Sequence, residues 1–199
     1  MSTNEGNTFQ TKVIAATTAW LEKVVIGLNL CPFAKSIHVK RQIRYSVSFA
    51  NNSEALREDL KRELTGLVAA RPDQIESTLL IHPQVLADFQ DYLHFLVDCD
   101  ATLEELELDG IIQVASFHPH YQFEGTKADD VTNYSNRSPF PTLHLLRESS
   151  VTRAVDSFPD TAAIYESNIA TLKQIGRARM EEMIASLTAG TASKSGNDA

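Results

Sequence analysis

The sequence predicts an α/β fold: a small three-stranded, mainly parallel sheet with flanking helices and a C-terminal helical pair, the alternative being α+β. Two observations lead there. Segments with strand periodicity alternate with segments of helical periodicity, and the order strand, helix, strand, helix, strand suits right-handed crossovers within one sheet. At 199 residues, with no internal repeat or linker, the chain is long enough for one domain with a sizeable core. The expected organisation is a disordered N-terminus over residues 1–8, a single globular domain over 9–187 and a disordered tail over 188–199. Both ends are small and polar, and offer too little apolar surface to offset the entropy of ordering.

Phe9 to Gly27 places Val13, Ala16, Trp20, Val24 and Leu28 at helical spacing, with Gly27 near the position of a left-handed C-cap. Arg41 to Phe49 alternates Ile43, Tyr45, Val47 and Phe49 with polar residues, the period of two of a half-buried strand. Asn51, Asn52 and Ser53 then provide N-cap chemistry for a helix whose Leu56, Leu60, Leu64 and Leu67 make one stripe. Thr78 to Ile81 is a short buried strand, and Pro83 opens a helix through Val85, Phe89, Leu93 and Leu96. The Thr102/Glu105 capping box marks a further helical turn. Ile111 to Phe117 is the third strand. After a long polar stretch, helices are expected from about Thr142 to Phe158 and from Asp160 to about Leu187.

A net charge of -8 and the absence of any basic run argue against nucleic acid as a partner. There is no apolar run long enough to span a membrane and no signal-peptide pattern, so a cytoplasmic location is expected. The two cysteines, Cys31 and Cys99, lie in dissimilar surroundings and read as reduced thiols, not as a disulfide or a CxxC zinc site. Small molecules or proteins are the remaining partner classes. The apolar stripe of the last helix would serve a homo-oligomer as well as a core.

Chemistry-bearing side chains concentrate between Ala115 and Glu148. The second and third strands both end in His-Pro, at His82-Pro83 and His118-Pro119, so in a parallel sheet both imidazoles lie at one rim, where ligands collect. If Thr142–Phe158 is helical, His144, Arg147 and Glu148 project together. His118, His120, His144 and Glu148 then form a candidate ligand set for a divalent transition metal (zinc, iron or manganese), with Asp129 or Asp130 as substitutes for the carboxylate. The competing reading makes these histidines satisfied members of a network that ties the irregular segment to the sheet.

Cys31, before Pro32, sits at the expected N-cap of a helical turn, where backbone N–H groups favour a thiolate. With His118 or His144 as base it is a candidate nucleophile, and the plainer reading is a small core residue. Cys99, between two aspartates, reads as structural. Asn133, Asn136, Arg137 and Arg147 suit a grip on a carboxylate or phosphate, with Tyr121 closing the pocket. Against that, the asparagines cap turns and Arg137 pairs with Asp129 or Asp130.

Three motifs carry a family resemblance: GLNLCPFAK at 27–35, LLIHP at 79–83, and ASFHPHYQFEGTKADDVTNYSNRSPFPTLHLLRE at 115–148. On them the chain resembles a bacterial family of uncharacterised proteins, the domain of unknown function 1415 family, along nearly everything between its tails. The resemblance implies a single-domain bacterial protein and carries over no reaction, cofactor or partner. The residues themselves leave three functions open. They are a metal-assisted enzyme acting on a small, anionic substrate, a thiol-dependent hydrolase or transferase using Cys31, and a non-catalytic module that binds a small anion or exerts regulation.

Overall fold

The computed structural model describes residues 3–157 and 161–189. Helix α1 (Thr3–Trp20) begins earlier than its apolar spacing indicated, so residues 3–8 are helical. It runs on into a π-helical segment, Leu21–Ile26. The wider turn is visible in its bonds, Gly27 N–H donating to the Glu22 carbonyl and Leu30 N–H to that of Val25. Gly27 stays right-handed at φ -63°, and it is Asn29, at φ 54°, that turns the chain. Gly27 is required for a different reason: a Cβ there would run into the Lys23 carbonyl oxygen. The chain then passes through Cys31 and Pro32 into a short helix, α2 (Ala34–Val39).

Strand β1 (Ile43–Val47) leads into α3 (Ser53–Ala69), whose first turn is capped by the Asn52 side chain accepting from the Ala55 N–H at 2.8 Å. Strand β2 (Ser77–Ile81) is buried along its length. The helix expected from Pro83 starts six residues later, as α4 (Phe89–Glu105), because Asp88 caps it by accepting from Gln90 and Asp91 N–H. Thr102 and Glu105 end this same helix and open no new one. They hold the Arg57 guanidinium, Thr102 Oγ1 at 3.0 Å and Glu105 at 2.9 Å.

The sheet has four strands, in the order β1-β2-β4-β3, where β3 is Ile112–Phe117 and β4 is Thr142–Arg147. Only β1 and β2 pair in parallel, and β4 lies antiparallel to both β2 and β3. The expected three-stranded, mainly parallel sheet is thereby corrected to a mixed, four-stranded one within an α/β chain. β2 and β3 still point the same way, but β4 occupies the space between them and satisfies an edge of each.

The segment expected as a helix from Thr142 therefore splits. Thr142–Arg147 is strand, burying Leu143 and Leu145 completely against α3 and α4, and only Glu148–Asp156 forms a helix, α5. Phe158 and Asp160, expected ends of two helices, lie outside the described residues. The single helix expected from Asp160 to about Leu187 is instead two, α6 (Thr161–Ile175) and α7 (Arg177–Thr188), separated at Gly176, whose φ of 80° an L side chain rarely adopts.

One core fills the space between the sheet and α3 and α4, with Tyr92, Phe95, Cys99 and the leucine stripe of α3. On the opposite face Trp20, Val24, Val25, Leu172 and Met180 make a second core beneath α1, the π-helical segment, α6 and α7. No described helix is long and apolar enough to cross a membrane.

Candidate functional site

The second face of the sheet is incompletely covered. Ile43, Ser77, Leu79, Gln113, Ala115 and Phe117 point toward it together with His144, and above them lies a cavity of about 720 Å³. Its roof is Trp20 of α1, Cys31 and Phe33 of the turn, Ile37 of α2, and Val151 and Ala154 of α5. The volume falls within the range of small-molecule sites. Ala115 is the register partner of His144, and so small a neighbour leaves room beside the imidazole. Helix α5 has no buried residue and lines the cavity with Ser150 and Arg153 as well as Val151, Ala154 and Val155.

The walls are mainly apolar, and the few polar groups on them stand out. His144 lines the cavity, its Nε2 is closed off without any hydrogen-bond partner, and burial lowers its pKa to about 4, so the ring is neutral at physiological pH. Ser77, 1% exposed, also leaves its Oγ unpaired. Cys31 is half-buried, its carbonyl accepting the Ala34 N–H at 3.3 Å, so it precedes α2 without being the N-cap, which is Phe33. Charge is confined to the outer part of the cavity: Lys40, and Arg153 of α5 paired with Glu76 at 3.2 Å.

The other expected site residues are drawn to different tasks. His82 and His118 do lie at a common rim, both packed against Tyr92, with ring centroids 5.8 and 5.0 Å from it. Both are inward-facing and fully buried. The His118 Nε2 sits 3.1 Å from the Leu86 carbonyl, and its Nδ1 accepts the His120 N–H at 3.0 Å, which uses both ring nitrogens. Burial lowers the pKa of both His82 and His118 to about 4, with the neighbouring imidazoles adding to it.

The expected metal set is not assembled. His118 packs on Tyr92 and Phe89 of α4, on one side of the sheet, and His144 faces the cavity on the other. His120 is exposed, and Glu148 begins α5, beyond the strand that carries His144. In a strand, residues 144 and 147 stand about 10 Å apart and on opposite faces, where a helix would have stacked them. Among the described residues no group of three or more His, Cys, Asp or Glu side chains is placed to hold a metal ion.

The expected anion grip is likewise structural. Arg147 spans from β4 to the end of α3 and the loop that follows it, donating to the carbonyls of Leu67, Ala70 and Ile75 at 2.6 to 3.4 Å. Asn133 is fully buried, accepts from Phe123 N–H and Thr126 Oγ1, and donates to the Lys127 carbonyl. Asn136 donates to the Ser116 carbonyl of β3, and Arg137 to those of Tyr121 and Ala128, with its guanidinium 4.6 Å over the Tyr134 ring. The Tyr121 ring packs 5.3 Å from Phe89. None of these five lines the cavity.

Of the residues singled out in the sequence, only Cys31 and His144 meet at the cavity. Ser77, Lys40, Glu76, Gln113 and Arg153 went unnoticed. For Ser77 a signal existed, a hydroxyl at the start of a short buried strand; the charged residues look like ordinary surface.

No curated protein and no solved structure matches this chain. A family described as protein of unknown function (DUF1415) matches over residues 12–182, which takes in every strand, the Cys31 turn and α5, and the chain belongs to that family.

Proposed function

We propose that this chain is a small-molecule enzyme of the thiol-dependent hydrolase or transferase class, with Cys31 as nucleophile and His144 as the group that takes its proton. One observation carries the reading: a thiol and an imidazole from distant parts of the chain line the same largely apolar cavity. The neutral ring accepts a proton only while the leaving group is taking it up, since burial depresses the basicity of the imidazole. In the first step the thiol proton passes to the imidazole while sulfur bonds to an electrophilic carbon of the ligand, and the leaving group departs with that proton. Water or a second acceptor then displaces sulfur and restores the thiol. Cys99 has no part in this, since burial, with Asp100 and Asp98 nearby, pushes its pKa far up.

Native-state alkylation with iodoacetamide at pH 7 tests it. Cys31 should react faster than free cysteine, His144→Leu should slow it several-fold, and Cys99 should stay unlabelled. If Cys31 reacts no faster than free cysteine and is indifferent to His144, the nucleophile role is lost. The second reading, a binding site without chemistry, then stands. It is favoured by the low basicity of His144, which has no carboxylate partner to stabilise its charged form.

A further inference from the structure

Taking the cavity as the site of a small molecule, as proposed above, its distribution of charge narrows the ligand class. The interior presents Trp20, Leu79 and Phe117 and no ionised group, because His144 is neutral there; a charged group of the ligand seated among them would be left uncompensated. Ionised groups occur only at the edge formed by the end of α2, the start of β2 and α5, where Lys40 and Arg153 reach solvent and Glu76 is largely enclosed. There Arg153 is joined to Glu76 at 3.2 Å, and Lys40, exposed, has no carboxylate within ion-pair distance among the described residues. Two cations thus face one acid that is already paired.

We infer that the cavity takes an amphipathic carboxylic acid. Its hydrocarbon part lies between the sheet and α5, and its carboxylate meets Lys40 and Arg153 at the edge. The carboxylate gains charge-assisted hydrogen bonds without leaving water, and the chain buries apolar area. An amine of the same length would meet like charge, and an alcohol would gain only the apolar part.

Titration of the full chain with octanoate, 1-octanol and octylamine, followed by calorimetry and by protection of Cys31 from alkylation, separates the outcomes. Octanoate should bind about tenfold more tightly than octanol, and octylamine more weakly than either. Lys40→Gln leaves the Arg153–Glu76 pair intact and should reduce the preference for acid over alcohol while leaving octanol binding unchanged. Equal binding of acid, alcohol and amine, with Cys31 protected, overturns the carboxylate assignment and leaves the cavity as a ligand site. No binding and no protection by any of the three overturns both.

Discussion

Arg147 shows how a residue type suited to catalysis or anion binding is claimed by the fold. Its guanidinium reaches three backbone carbonyls around the end of α3, 9% exposed, and no other side chain presents so many donors in a plane. Arg147→Leu removes the guanidinium donors from those carbonyls and should lower stability by about 3 kcal/mol in urea unfolding, with Arg147→Lys recovering only part. Arg137 is tested the same way: Arg137→Gln should lower the thermal midpoint while leaving the Cys31 alkylation rate unchanged. A change in rate with no loss of stability would return Arg137 to the site. The sequence singles out Cys31 and His144, and the fold brings both to the cavity. At Asn133, Asn136 and Arg137 residue type misled, because groups that bind ligands are the same groups that satisfy the backbone of a long irregular segment.

Among the elements, the π-helical segment and β4 decide where the site lies. The π turn offsets the end of α1 and delivers Cys31 to the roof of the cavity, and it closes only because position 27 has no Cβ. Gly27→Ala should therefore cost about 1–3 kcal/mol, read in urea unfolding, and should also change Cys31 alkylation. A distant substitution of equal cost would leave the alkylation of the folded protein unaltered. The helices α1 and α3 were readable because their apolar residues recur at one period over many turns, whereas the break at Gly176 between α6 and α7 was not, since the apolar spacing runs across it. β4 was not. TLHLLR alternates as a strand does, yet its last residues also fit the helical spacing that continues into Val151 and Ala154, and six residues are too few to separate the two periods. Pairing with β2 and β3 on both sides resolved the ambiguity.

For the whole molecule, three neutral imidazoles are enclosed, two against α4 and one beneath the cavity. His82, His118 and His144 each titrate near 4 when folded, against an ordinary value of 6.5, so the unfolded chain binds more protons throughout that interval. Stability is fully present above about pH 6.5 and falls as pH drops from there to about 4, below which this loss is complete. The fully enclosed His82 contributes about 3 kcal/mol to the drop. Urea midpoints measured between pH 7.5 and 4 check it: His82→Gln should flatten the slope, and an unchanged slope in that variant would contradict the assignment.

By itself the sequence determined the helical stripes, the first three strands, the common direction of β2 and β3 and the two chemical groups of greatest interest, since each depends on local periodicity or side-chain type. Only the tertiary structure decided that a fourth strand runs antiparallel between β2 and β3. That one insertion turns His144 to one face of the sheet and leaves His118 on the other. Strand pairing and sidedness are long-range properties, fixed by which edges need partners and which faces need burial, and no short stretch of chain carries them.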